Sequence, residues 1–555
     1  MSFITNDNST FYGTVGTGGI LNVTGNIGIT GNLTVTGTIT SPYTSIGVLK
    51  LPEYDNQSGN GANGYETIAF IDTNNQVRVT GGVGLQLCKM NGFPIYNTAC
   101  ILSLPANVTP LKLYNTPRNY YIIASDNKLY SQGYNGEGQL GSGNIGFTGS
   151  VCKVVFPETV QAITNFYTNN SQFINTLGMA LTASGELYSW GYNEYGALGL
   201  TGITTIAGNT STPTISISQS VPQFKLSPFN SLASPNNIVP TVTQVCCQGT
   251  NTDANGLYTD YCVSTAALVY TSTTAGITSG GTSYVYCTGY GMHGQMGQGD
   301  ANNSPSAWVR VKTSPTVYLS NVIKIGGSGS GKYTSFYALN NSNDLYGWGA
   351  NNTDEFGTGV AGSKSYATLI PPSPNGTGYK IKDFWSCSAA YGQSSLFVKD
   401  MSDTLYASGS NGWGQLGIGT IVPSIGFKKC IFSDGLSPIV KTIKTSGGGD
   451  GVSVFIITDS TTRSLPQLYG CGHNNQGGLG LGHTTAIVSF TPIPFYSSAG
   501  IKDIWASSVS FIGSFTLILT NDNKLYGMGL GTYSRFSPVD VTSNPYIKHL
   551  TNYIC

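Results

Sequence analysis

Charge is scarce in this chain. Asp, Glu, Lys and Arg make up 9% of its 555 residues, 25 basic against 25 acidic, so the formal net charge is zero. Average globular proteins carry roughly a quarter charged residues. A surface this neutral has no electrostatic footprint for nucleic acid or for an anionic membrane, and neither is an expected partner. Apolar runs are short as well. The longest, such as 452–457 (VSVFII), have strand length, and nothing approaches the roughly 18 residues of a membrane span. The first ten residues, MSFITNDNST, hold no basic cluster and no apolar run, so they do not read as a secretory signal. The 11 Cys include no CxxC pair. Zinc-finger spacing is therefore missing, and reduced thiols inside strand-like runs such as 151–154 (VCKV) are expected; Cys555 leaves an intermolecular disulfide open. The four His (His293, His473, His483 and His549) are too scattered to converge on a metal. No GxxxxGK[ST] phosphate loop occurs. The expectation is no catalytic residue, no cofactor and no metal, hence no enzyme.

Glycine, by contrast, is abundant at 74 residues, and much of it recurs in register. Residues 129–141 read LYSQGYNGEGQLG, and 187–199 read LYSWGYNEYGALG. Further copies are 285–297 (VYCTGYGMHGQMG), 345–357 (LYGWGANNTDEFG), 405–417 (LYASGSNGWGQLG) and 468–480 (LYGCGHNNQGGLG), with a worn one at 525–537 (LYGMGLGTYSRFS). Successive copies start 58, 98, 60, 60, 63 and 57 residues apart. Such a period marks one supersecondary unit per repeat. Gly133, Gly191, Gly289, Gly349, Gly409 and Gly472 end the Leu-Tyr stretch, and Gly141, Gly199, Gly297, Gly357, Gly417 and Gly480 close the loop eight residues on. These twelve are the structural repeat positions. A side chain forced to positive φ costs on the order of 1 kcal/mol or more, which explains the fixed spacing. Asn135, Asn193, Asn351, Asn411 and Asn474 suit turn caps, and the Leu, Met or Phe before the closing Gly suits a plug between neighbours.

Each unit has one plan: a strand, a second strand, a tight polar turn (SDNK, ASGE, NSND, MSDT or NDNK), the Leu-Tyr strand, a glycine-rich loop and an outer strand. Three or four short antiparallel strands repeated seven times make an all-β fold, a seven-bladed β-propeller. The repeat resembles that of the regulator of chromosome condensation family, seven-bladed propellers whose founding member acts on a small nuclear GTPase. The resemblance covers about four fifths of the chain. It departs from the family in the His-Thr usually found before the hairpin, of which Tyr333-Thr334 is the nearest trace, and in the basic tail, so exchange-factor activity is not carried over.

Residues 1–45 differ. Gly19, Gly25, Gly31 and Gly37 each open a hexad in which apolar residues alternate (Leu21, Val23, Ile27, Ile29, Leu33, Val35). Alternation argues for short strands, and a strip this narrow must stack on itself or on other chains. The hexads resemble the stalks of phage and viral fibre proteins. The expected organisation is a β-stalk or anchor over 1–45, a transition over 46–98, and the propeller over 99–555 with an insertion at 201–240. Within the transition, 70–81 faintly echoes the repeat, as a degenerate eighth unit or the base of the stalk. A second lengthening, 271–283, reads as a long hairpin tip.

Other candidates are modest. Glu137, Glu194, Asp354 and Glu355 could line one rim. Trp190, Trp348 and Trp413 suit the core or an aromatic platform for glycans. Sequons are plentiful in a chain so rich in Asn and Thr. Three functions stay open. The resemblances imply first a structural protein of a giant-virus virion, a fibre or capsid-surface decoration assembled in the host cytoplasm. Its partners would be itself, as a homo-oligomer such as a trimer through residues 19–40, and other virion proteins. The second is an intracellular propeller adaptor for a protein partner such as a GTPase. The third is a glycan-binding lectin. If the hexads oligomerise, light scattering gives a trimer or larger for the full chain and a monomer for a chain starting at Ser45; monomers for both would sink the stalk.

Overall fold

The structure is a computed structural model of the whole chain. It describes residues 3–5, 21–23, 50, 67–81, 96–116, 119–136, 138–144, 148–156, 160–169, 176–199, 223–224, 239–249, 262–272, 282–301, 305, 307–330, 332–371, 380–388, 394–446, 451–460, 465–509, 513–531 and 541–549. The chain divides into two units, Met1–Ile46 and Gly47–Cys555. In the first, Phe3–Thr5 pairs in parallel with Leu21–Val23. The rest of the expected stalk lies outside the described residues.

The second unit carries eight propeller sheets. Blades 2 to 8 are four-stranded and antiparallel, beginning at Pro110, Ile163, Val239, Val322, Ile381, Val440 and Ile501. Each holds one copy of the Leu-Tyr motif as its third strand, from Leu129–Gly133 to Leu525–Gly531. The expected count of seven is therefore corrected to eight. Blade 1 is the sheet Thr67–Ile71, Val77–Gly81 and Tyr96–Leu102, with Lys50 bridged to Ile71 on its free side. It escaped the motif count because its middle strand, VRVTG, which stands in the motif's place, keeps only the terminal glycine of the signature. Its tight turn survives: the Asp72 side chain takes the amides of Asn74 and Gln76, both at 2.9 Å, and ion-pairs with Arg78.

The first strands of successive blades pack against one another, which puts them innermost. Alternation explains the layers. Second strands such as Asn119–Ala124, Leu177–Thr182 and Ser453–Thr458 are buried throughout, because both faces meet a neighbouring blade. The insertion contributes Gln223–Phe224, which closes blade 3 as its outer strand; most of the remainder lies outside the described residues. The second lengthening is a long hairpin, Ser264–Ser272 with Thr282–Gly289.

The repeat loop latches blade to blade. In five loops an Asn Oδ1 accepts the amide five residues on: Asn135 from Leu140, Asn193 from Leu198, Asn351 from Phe356, Asn411 from Leu416 and Asn474 from Leu479, at 2.9–3.0 Å. This fixes the loop so that a carbonyl near its end faces the next blade. The fourth motif residue of that blade donates to it. Trp190 Nε1 reaches Gln139 O at 2.8 Å, Trp348 Nε1 reaches Gln295 O at 2.9 Å and Ser408 Oγ reaches Asp354 O at 2.7 Å. Thr288 and Cys471 do the same toward Gly196 O and Gln415 O. The apolar residue before the closing glycine (Leu140, Leu198, Met296, Phe356, Leu416, Leu479) is fully buried.

All twelve repeat glycines sit at positive φ, from 60° at Gly357 to 132° at Gly133. At Gly472 (φ 94°) a Cβ would also lie 2.2 Å from Val452 O, whereas at Gly359 (φ 81°) it would meet nothing within 4 Å. Gly359→Ala should therefore cost about 1 kcal/mol from backbone strain alone, and Gly472→Ala roughly 3 kcal/mol or more because backbone must shift as well. Chemical denaturation of both variants checks this, and equal losses would refute it.

Candidate partner-binding face

Every first strand from blade 2 to blade 8 is bulged, after its first residue in six of them and after Val242, the fourth residue, in blade 4. The ladder skips Leu111, Thr164, Thr243, Ile323, Lys382, Lys441 and Lys502 in turn. A bulge of this kind re-aims side chains and is frequent beside functional sites. The skipped residue turns outward, and the one after it (Lys112, Asn165, Gln244, Lys324, Asp383, Thr442, Asp503) is half-buried. Lys50 holds the corresponding place in blade 1, since Ile71 pairs with it as Ile123 pairs with Lys112.

This polar ring ties neighbouring blades. Lys50 Nζ donates to Leu111 O at 2.7 Å, and Lys112 Nζ to Thr164 O at 2.9 Å and Asn165 Oδ1 at 2.7 Å. Gln244 Oε1 accepts from Ile325 N at 3.0 Å. Lys324 Nζ donates to Asp383 Oδ1 at 2.6 Å and Phe384 O at 2.8 Å, and Lys444 pairs with Asp503 at 2.8 Å. Lys502 closes the circle. Desolvation and then the positive charge of Lys50, in blade 1, push its pKa down.

The ring is uneven in charge. Five consecutive blades, 6, 7, 8, 1 and 2, present Lys382, Lys441, Lys502, Lys50 and Lys112, while blades 3 and 4 present Thr164, Asn165, Thr243 and Gln244. Lys382 shares Asp403, at 2.8 and 3.0 Å, and that contact leads in holding the Asp403 carboxyl below its usual pKa. The inner acids Asp383 and Asp503 are taken by Lys324 and Lys444. A chain neutral overall thus carries a basic arc around one mouth of its axis. The signal for four of the five was present in the strand starts PLKLY, IKDFW, VKTIK and IKDIW, but the net charge averages it away.

The opposite face carries the repeat loops. Asp354 and Glu355 do not line its rim: both are 1% exposed. Asp354 occupies the place of a loop glycine, at φ 54°, and its carboxylate accepts from Thr358, Gly359 and Gly426 amides. Glu355 stands where other loops have Gln139, Gln295 or Gln415. The side chain of Glu194 is not described, and Glu137 lies outside the described residues. Trp190 and Trp348 are fully buried in the latch. Trp413 meets His473 edge-on at 4.7 Å, and His293 lies 5.0 Å from Tyr333. Among the described residues no three His, Cys, Asp or Glu come together as metal ligands, and no helix is long and apolar enough to cross a membrane. Their eight cysteines are all free.

The family model described as Regulator of chromosome condensation (RCC1) repeat matches residues 184–252. That match falls on the end of blade 3 and the start of blade 4. It is 32% identical to the bovine (Bos taurus) secretion-regulating guanine nucleotide exchange factor over 134 residues, 24% of this chain and 25% of that protein. It is 30% identical to the mouse (Mus musculus) X-linked retinitis pigmentosa GTPase regulator over 149 residues, 27% of this chain and 13% of that protein. These matches span a quarter or less of the relatives' own length. Among solved structures, yeast RCC1 (Prp20) bound to Kap60 is similar at 16% identity and a TM-score of 0.47, over 76% of this chain and 83% of that one.

Glu355 provides a test of the repeat loop. Ser335 Oγ lies 2.5 Å from Ala350 O and 2.8 Å from Glu355 Oε1, and its single hydrogen serves only one. Ser264, Ser395 and Ser453 make the same bond to a backbone carbonyl in other blades. With the Ser335 hydrogen on Ala350 O, Glu355 is satisfied when protonated and donating. Burial raises its pKa from 4.5 to about 7. Its contribution to stability is therefore full below about pH 4.5 and is lost as pH rises through about 7. Glu355→Gln should raise the melting temperature at pH 8 and leave it nearly unchanged at pH 4.5, whereas an equal difference at both would refute the assignment.

Proposed function

We propose that the propeller is a protein-binding module, without catalytic chemistry of its own, that docks an acidic surface of a regulatory partner such as a small GTPase on the lysine-rimmed mouth of its axis. The observation that carries the reading is the arc Lys382, Lys441, Lys502, Lys50 and Lys112 in five adjacent blades of a chain with zero net charge. An uneven field of this kind steers a partner of opposite sign and sets its orientation. A GTPase partner is favoured because relatives sharing the repeat are a guanine nucleotide exchange factor and a GTPase regulator. It is the second of the three functions open from the sequence, and no feature of the virion or lectin readings draws on the lysine arc.

The test is titration of the full chain against a panel of purified small GTPases, with and without nucleotide, at two salt concentrations. Binding of one or more members is expected. Lys441→Glu with Lys502→Glu should weaken it at least tenfold and flatten its salt dependence. Binding that is indifferent to these two changes would remove the lysine arc from the function, and an empty panel would remove the GTPase.

A further inference from the structure

The bulge gives each of these first strands one outward residue at an equivalent place, and its chemistry changes around the mouth. Blades 6, 7 and 8 put Lys382, Lys441 and Lys502 there, and blades 3 and 4 put Thr164 and Thr243. Blades 2 and 5 instead put aliphatic side chains there: Leu111, 40% exposed, and Ile323, 46% exposed. The fold does not require them, since threonine and lysine fill the same place in the other five blades.

Isolated apolar residues are ordinary on a protein surface. What sets these two apart is that they bracket the lysine arc. Leu111 stands at one end, where Lys50 Nζ donates to its carbonyl at 2.7 Å and Lys112 follows it in the chain. Ile323 stands before the other end. The residue after it, Lys324, reaches Asp383 of blade 6 at 2.6 Å, and Asp383 directly follows Lys382. The inner lysines Lys324 and Lys444 are neutralised in place by Asp383 and Asp503, so the outward lysines carry the charge that the mouth offers.

The connections that lead into Leu111, Ile323, Lys441 and Lys502, residues 103–109, 311–321, 430–439 and 493–500, are described throughout and leave all four side chains exposed. A second copy of this chain does not suit the mouth, because two such faces would set lysine against lysine.

We propose that Leu111 and Ile323 are the specificity anchors of the mouth. The partner is a protein surface with an acidic patch flanked on both sides by apolar side chains, one burying against Leu111 in blade 2 and the other against Ile323 in blade 5. This rests on the reading of the lysine arc as a docking face and adds what charge alone does not supply. Lysines attract any acidic surface and govern the rate of encounter, whereas two apolar anchors held apart by the ring of blades decide which surface stays.

The probe is a phage-displayed library of random dodecapeptides, which reach roughly 40 Å when extended. It is selected on the full chain with counter-selection on the Lys441→Glu, Lys502→Glu variant. Enriched sequences are expected to hold a central acidic cluster with an aliphatic or aromatic residue on each side. Leu111→Thr with Ile323→Thr copies the residue of blades 3 and 4. It should weaken a synthetic peptide at least tenfold by speeding its release, with the association rate and salt dependence of wild type. The two lysine changes should instead slow association and flatten the salt dependence. A circular dichroism melt matched to wild type shows that the threonine pair is folded; if it is not, Ile323→Thr alone is used, with at least a threefold loss expected.

Acidic peptides that lack the flanking residues, or that bind the threonine variant as well as wild type, would overturn this proposal and leave the lysine arc standing. If no acidic peptide enriches, both fall. Binding that appears only after Glu53→Gln with Asp55→Asn would assign the arc to acids of this same chain and overturn the proposal too.

Discussion

The propeller depends on one hydrogen bond made repeatedly: a loop carbonyl of one blade accepting from the fourth motif residue of the next. Everything around it serves that contact. The Asn cap holds the loop, positive-φ glycines let it turn, and the buried Leu, Met or Phe wedges the two sheets together. Because five of the loops are latched in this way to the following blade, those blades are complete only in their neighbours' presence. The donor varies from Trp to Thr, Ser and Cys while the acceptor stays main chain, so the latch survives substitution of the residue that makes it.

That division explains what was legible in the chain. The loop glycines and Asn135, Asn193, Asn351, Asn411 and Asn474 are read easily because backbone geometry admits few alternatives at those points. Blade 1 was harder to read because VRVTG keeps only the last glycine of the signature; its alternation and its Asp72 turn are what remain. The lysine arc was invisible to composition because it is a matter of placement: equal numbers of acids and bases say nothing of Lys502 standing beside Lys50. Asp354 and Glu355 misled for a related reason. Carboxylates in a glycine-rich loop suggest a rim, yet here one replaces main-chain partners and the other replaces a buried glutamine. Sequence supplies the residue types, and only the fold says which of them lost their water.

Among the described residues each of the eight sheets draws its strands from one contiguous stretch, and none is shared between the beginning and the end of the propeller. Seven of the junctions between blades are therefore backed by a covalent connection that keeps separated sheets near one another. The junction of blade 8 with blade 1 has no such tether. When it parts, nothing limits how far the two sheets drift, so its re-formation carries the entropy of closing the whole ring. That makes this junction the natural first breach under force or heat. It is also where a ligand bridging Lys502 and Lys50 would stabilise the molecule most.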